Sequence, residues 1–515
     1  MKETLIDIET YSEVDIGKCG LYRYATDPSF EILLVAWATD EGEGFGETRC
    51  ADLASGEPLP KELLEDFQSG NVRLIAHNAS FERVCFSVHL QRHLPGQYLK
   101  PGEFLSPDSW ICTMVMAASL TLPMALKDVG TVLKTCQQKD KEGERLIKLF
   151  SMPCKPTKSN GMRTRNLPEH YPADWEKFKY YCIQDVNTEV DIYKRLKKFP
   201  MPEQEWKHYR VNERINDRGV KIDTELVQQA IACDLMLSDA MSKKAYELTG
   251  LENPNSVSQL KAWLDERGIP MDTLGKKDVA QMIAELDKNG VDAEAMDMLK
   301  LRLQMAKSSV KKYQAAERCV CSDGRARGLF QFYGASRTGR YSGRNIQLQN
   351  LPQNHISTLD EARELVKLGC FDMVETIYGN TPDVLSQLIR TMLIPKEGCE
   401  FIVADFSAIE ARVLAWEAGE DWRLEAFLEG KDIYCASASQ MFHVPVVKHG
   451  INGELRQKGK VAELACGYGG SSGALISMGA LQMGLKEEEL PEIIDSWREA
   501  NPKIVQYWWD VEKAA

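Results

Sequence analysis

The chain has 515 residues, 43% hydrophobic and 27% charged, with a net charge of −13. That length and composition point to a globular protein of roughly three domains, and no apolar run reaches membrane-spanning length. Its 14 cysteines show neither Cys-x-x-Cys nor Cys/His zinc spacing, and the acidic N-terminus lacks a signal-peptide core, so core thiols in a reducing cytoplasm are expected.

Residues 1 to about 195 read as alternating strands and helices. Residues 4–9 and 32–38 are short apolar strands, and residues 78–89 and 173–196 are helices. In the first strand Asp7 and Glu9 are two apart and share a face, while Ile6 and Ile8 point to the other. Two carboxylates so placed can share divalent ions. Surface strands often carry Asp-x-Glu, so the pair alone says little. Two helical pairs sharpen it: Asn78 with Glu82, and Tyr181 with Asp185, each four apart on one helix face. Asp108 is a substitute carboxylate or, more simply, the N-cap of a helix over 109–120. Pro200 and Pro202 mark a boundary.

Residues 203–321 are mostly helical, with breaks at Gly219, Pro254 and Gly268. An acidic protein needs a local cationic surface to hold nucleic acid, and one exists here. Eleven Lys/Arg lie between Lys300 and Arg344, opposed by Glu317 and Asp323 alone. The run enters polar, turn-rich sequence at 330–355, which favours a phosphate-backbone groove over a solvated helix face. A helix over 384–392 follows. Residues 401–404 then read as a buried strand delivering Asp405, with an amphipathic helix over 407–417. Residues 418–515 are mainly helical. Among them Arg456, Lys460, Leu464 and Tyr468 recur every four residues and form one slanting stripe. Gly467, Gly469 and Gly470 beside it permit close backbone approach.

The first constellation resembles the proofreading 3′→5′ exonuclease domain of family A DNA polymerases, with a tyrosine in its third motif. The resemblance implies that Asp7, Glu9, Glu82 and Asp185 carry two Mg²⁺ or Mn²⁺ ions and that Tyr181 orients the attacking water. Glu82 departs from the family's usual aspartate. Asp405-Phe-Ser-Ala-Ile-Glu410-Ala-Arg412 resembles the first palm motif, and the Arg456 stripe resembles the nucleotide-binding fingers helix. The segment Thr338 to Pro352 resembles the template-primer segment. On this reading Asp405 holds metal, and Glu410, Tyr434, Arg456, Lys460, Leu464 and Tyr468 bind nucleotide. Asn78, Lys307, Lys311, Arg337, Arg340, Gln349 and Asn350 bind DNA. Leu464 replaces the family's usual aromatic.

The resemblance covers nearly the whole chain and is closest to phage and prophage members. It implies an α/β (α+β) protein: an RNase H-like exonuclease domain over 1–198, then a right-hand polymerase domain over 199–515. Within the latter, thumb is expected over about 222–322, palm over 323–417 and fingers over 418–515. The implied partners are primer-template DNA, single-stranded 3′ ends and deoxynucleoside triphosphates, in a bacterial or phage-infected cytoplasm. The chain contains no His-Asp dipeptide, so the family's last palm motif is missing. The expectation is a palm incomplete at the C-terminus, completed by a separate C-terminal piece, and little primer extension by these residues alone. The alternative is a free-standing 3′→5′ exonuclease with a DNA-binding module.

Overall fold

The apolar alternation near the N-terminus becomes the middle of a sheet in a computed structural model, which describes residues 1–135, 141–289, 292–305, 310–336, 338–481 and 485–515. Strand β1 (Lys2–Tyr11) runs antiparallel to β2 (Glu31–Asp40), which pairs antiparallel with β3 (Arg49–Asp52). On its other side β1 runs parallel to β4 (Val72–Ala76), and β4 runs parallel to β5 (Trp110–Cys112). The order is therefore β3-β2-β1-β4-β5. Asp7 stands opposite Ala36 and Glu9 opposite Leu34, and the register slips between Glu9 and Thr10. That irregularity sits beside the carboxylates, a common place for a bulge that re-aims a side chain.

Three helices shape this part. Helix α1 is Ser80–His93, α2 is Thr113–Ser119 and α3 is Pro172–Leu196. Proline opens α3, where its missing N–H costs nothing. Trp175, Phe178, Cys182, Val186 and Ile192 follow at helical spacing and bury its inner face against β1 and β2. Helix α4 (Glu203–Arg218) belongs with this core. Arg83 of α1 is fully buried and bridges Glu213 at 3.0 Å and Asp217 at 2.8 Å, while Tyr22 donates to Asp217 at 2.7 Å.

Two compact units are present, Met1–Glu400 and Phe401–Ala515. The first also holds a small sheet of β6 (Val220–Ile222), β7 (Arg325–Ala326) and a late strand Leu393–Ile394, besides a hairpin of β8 (Phe330–Ala335) and β9 (Arg340–Gly343). Helices α5 (Thr224–Thr249) and α6 (Val310–Cys319) pack beside them. The second unit is helical: α7 (Ile409–Ala418), α8 (Asp421–Leu428), α9 (Ile433–Phe442), α10 (Leu455–Cys466), α11 (Leu490–Ala500) and α12 (Pro502–Ala514). Its core is built on Val461, Leu475, Ile493, Trp497 and Ile504. Across it Arg423 forks onto Glu463 at 2.7 and 2.5 Å, and Trp497 Nε1 donates to the same carboxylate at 2.9 Å.

Three expectations need correction. Residues 401–404 are not a buried strand: they are irregular, with Ile402 and Val403 each 90% exposed. Among the described residues no strand pairs with them, and an apolar run without ladder partners has nothing to be buried by. Asp108 does not cap a helix over 109–120. Trp110–Cys112 is taken up as a strand beside β4, and Asp108 instead pairs with Arg214 at 2.6 Å. The polar stretch 330–355 contains the β8–β9 hairpin, whose turn residues masked the strand pattern.

Candidate active sites

The sheet brings the first constellation together. Carboxylate oxygens of Asp7, Glu9 and Asp185 lie within 4.8 Å of one another. Asp7 and Glu9 come from one face of β1, and Asp185 from α3 lying across it. Three carboxylates this close repel one another, and hard divalent ions or protons relieve the repulsion. Glu82 stands outside that group. It is 3% exposed on α1, and its Oε2 meets no hydrogen-bond donor. Burial first, then the charge of Asp7, pushes its carboxyl well above the usual range. An orphaned buried carboxylate oxygen beside three others is what a Mg²⁺ or Mn²⁺ site would offer, so these residues fit such ions.

Tyr181 lies one turn before Asp185, 7% exposed, its ring stacked on Phe178 at 6.3 Å. Burial, with Asp185 and Glu9 nearby, pushes the phenol well above its ordinary value, so the group stays a neutral donor. Gly143 clasps this ring: a Cβ there would lie 2.6 Å from Tyr181 Cζ. A cavity of about 460 Å³ opens beside Glu9, lined also by Tyr24, Phe81, Ile147 and Met152. Asn78, with φ of 71°, turns the chain from β4 into α1. It lines a second cavity of about 700 Å³ with Phe81, Tyr209, Arg318 and Arg344.

Sequence reading passed over several residues here. Gly143 carries no local signal. Buried Glu189 and Thr113 and half-buried His77 form a hydrogen-bonded cluster behind the carboxylates. Glu189 repeats the four-residue spacing of Tyr181 and Asp185, which was the available clue.

Of the basic run, Lys311, Arg340 and Arg344 are exposed, as are Gln349 and Asn350. Others serve the fold. Lys312 donates to the Ile346 carbonyl at 2.9 Å, Arg325 caps the carbonyls of Arg218 and Gly219, and Arg327 pairs with Asp323. Lys307 and Arg337 lie outside the described residues.

In the second unit Asp405 lies exposed in the irregular stretch before α7. Glu410, in the first turn of α7, accepts a hydrogen bond from the Tyr468 hydroxyl. Asp432 caps α9 through the N–H of Tyr434 and also receives Arg456 Nε and Nη2 at 2.9 and 2.8 Å. Although burial opposes it, Arg456 and the backbone N–H groups hold Asp432 below the usual carboxylate range. The Arg456 guanidinium also lies 5.1 Å from the Tyr434 ring centre. Arg456 and Lys460 thus sit on α10, and Gly459 between them lets α10 approach α9: a Cβ there would lie 3.0 Å from Ala438 Cβ.

Comparison with known proteins extends these observations. The model of DNA polymerase family A matches residues 229–515. A DNA polymerase of Bacillus phage SP02 is 53% identical over 515 residues, which is 100% of this chain and 76% of that protein. DNA polymerase I of Geobacillus stearothermophilus is 27% identical over 301 residues, 58% of this chain and 30% of that enzyme. Among solved structures, the POL domain of Pol1 from M. smegmatis, complexed with DNA primer-template and dNTP, aligns with a TM-score of 0.58. It covers 100% of this chain and 75% of that chain at 18% identity, a likeness of fold.

Proposed function

This chain belongs to DNA polymerase family A, and on that premise we propose that its first 198 residues form a 3′→5′ exonuclease that proofreads for the polymerase. The enzyme is a DNA-directed DNA polymerase, a nucleotidyltransferase of the phage type that serves DNA replication. The observation that carries the exonuclease reading is the meeting of Asp7, Glu9 and Asp185 within 4.8 Å beside buried Tyr181.

Metal dependence is general in the family; paired Mg²⁺ or Mn²⁺ at Asp7, Glu9, Glu82 and Asp185 is our reading for this chain. Bound there, such ions supply Lewis-acid activation of water and charge stabilisation. The protein's own contribution is positional. The carboxylates would fix where the cations sit, the neutral phenol of Tyr181 orients the attacking water, and the cavity beside Glu9 receives the terminal nucleotide. Asn78 and the exposed Lys311, Arg340, Gln349 and Asn350 contact DNA strands, mostly at phosphate and sugar.

In the second unit we assign Asp405 to metal, Arg456 and Lys460 to triphosphate charge, and Tyr434, Leu464, Glu410 and Tyr468 to the rest of the nucleotide. Arg456 must exchange Asp432 for phosphate when a nucleotide arrives, an exchange of one charged partner for another. The exposed, apolar residues 401–404 favour a further strand partner, which we assign to a separate palm piece. The working compartment on this reading is the cytoplasm of a bacterium or phage-infected cell. Among the described residues no helix is long and apolar enough to cross a membrane.

The test is a 5′-labelled single-stranded oligonucleotide incubated with Mg²⁺. We expect stepwise shortening that disappears in the doubly substituted Asp7→Ala, Glu9→Ala protein while DNA binding persists. Shortening that survives the double substitution would place the chemistry elsewhere.

A further inference from the structure

Behind the carboxylates lies a chain of three side chains, of which Glu189 and Thr113 are buried and His77 is half-buried. Glu189, 1% exposed, follows Asp185 by one turn on α3. Its Oε1 is 3.1 Å from Oγ1 of Thr113, the first residue of α2. Thr113 Oγ1 is 2.9 Å from His77 Nδ1, and His77 Nε2 is 2.8 Å from the Met124 carbonyl. The backbone N–H of His77 also reaches the Glu189 carboxyl. His77 follows β4 directly and precedes Asn78, so the chain joins the helix of Tyr181 and Asp185 to the turn that leads to Glu82.

Thr113 Oγ1 gives its single hydrogen to the Glu189 carboxyl, which also accepts from the His77 backbone N–H. A carbonyl only accepts, so His77 Nε2 carries a hydrogen and donates it to Met124. Asp7 on β1, Glu82 on α1 and Asp185 on α3 all bear on Glu189, and burial, followed by Asp7, pushes its carboxyl well above the usual range.

We propose, resting on the exonuclease reading above, that Glu189 is a positioning residue of that centre. Acting through Thr113 and His77, it fixes the helix of Tyr181 and Asp185 against the turn that carries Asn78 and Glu82. Glutamine keeps a side-chain oxygen that can accept from Thr113 and from the His77 backbone N–H. Glu189→Ala and Thr113→Val break the chain without removing a group assigned to DNA or metal.

The experiment uses the full 515-residue chain. Wild type, Asp7→Ala, Glu189→Gln, Glu189→Ala and Thr113→Val are compared on a labelled single-stranded oligonucleotide with Mg²⁺, resolving kcat from KM. Histidine-selective ¹⁵N NMR of the metal-free protein supplies a second readout. We expect Glu189→Gln to stay within about threefold of wild type, and the other two chain variants to lose about tenfold in kcat at near-constant KM. The His77 ring signals of Glu189→Gln should match wild type, and those of Glu189→Ala and Thr113→Val should shift. Wild-type kcat in Thr113→Val, a Glu189→Gln loss as deep as that of Glu189→Ala, or unmoved His77 signals in Thr113→Val would each overturn the proposal alone. If wild type fails to shorten the oligonucleotide, the exonuclease reading falls and takes the proposal with it. Cleavage that stops in Asp7→Ala keeps that reading whichever way the Glu189 series falls.

Discussion

A methyl group on Gly143 would lie 2.6 Å from Tyr181 Cζ, well inside van der Waals contact. Gly143→Ala must therefore displace the ring, and a misplaced orienting group costs rate. We expect about a hundredfold fall in 3′-end cleavage with oligonucleotide affinity unchanged, read by single-turnover kinetics. Burial of His89, then His93 beside it, lowers its pKa to about 4. The folded state therefore refuses a proton that the unfolded chain accepts near pH 6.5. Stability is full above that value and is lost as the pH falls toward 4, by up to about 3 kcal/mol. Urea unfolding of His89→Phe at pH 7 and pH 5 should show a flatter pH dependence than wild type. At this scale the sequence announced Asp7, Glu9 and Asp185, because period-2 and period-4 spacing translate directly into shared faces. It was silent on Gly143, whose partner is 38 positions away along the chain and is met only after folding.

Elements with a single dominant pattern were legible. β1, β2 and α3 carry continuous apolar periodicity, and each was found within a few residues of its ends. Patterns that depend on a partner were not. The β8–β9 hairpin hid among turn residues, and residues 401–404 looked like a strand because four apolar residues say nothing about pairing. The spacing of α9 and α10 is likewise a property of two elements, set by Gly459 against Ala438. Gly459→Val should force them apart, lowering the unfolding temperature and weakening nucleotide binding about tenfold or more, measurable by fluorescence titration with a deoxynucleoside triphosphate. The Arg423–Glu463 pair is the matching electrostatic tie. Arg423→Met strands a buried carboxylate and should cost about 3–5 kcal/mol in chemical denaturation.

On the scale of the whole molecule, the chain divides at Glu400 and Phe401, whereas the sequence reading draws its first boundary at the prolines near residue 200 and further ones near 222, 322 and 417. α4 explains the difference: buried Arg83 of α1 ties it to the first core, so residues after Pro202 share the first unit. Limited proteolysis should cut first within 395–407, and mass spectrometry should return fragments close to 1–400 and 401–515. First cuts near residue 200 would contradict this division. The exposed apolar stretch there also favours self-association, which Ile402→Lys with Val403→Lys should reduce in light scattering. The two halves of the chemistry consequently sit on backbones of unequal permanence. β1 is laddered on both edges, so its amide hydrogens trade with solvent deuterium only when the whole sheet opens, while those around Asp405 trade at nearly the free-peptide rate. Gentle warming will thus melt the ground under Asp405 first and leave the Asp7–Glu9 ladder intact.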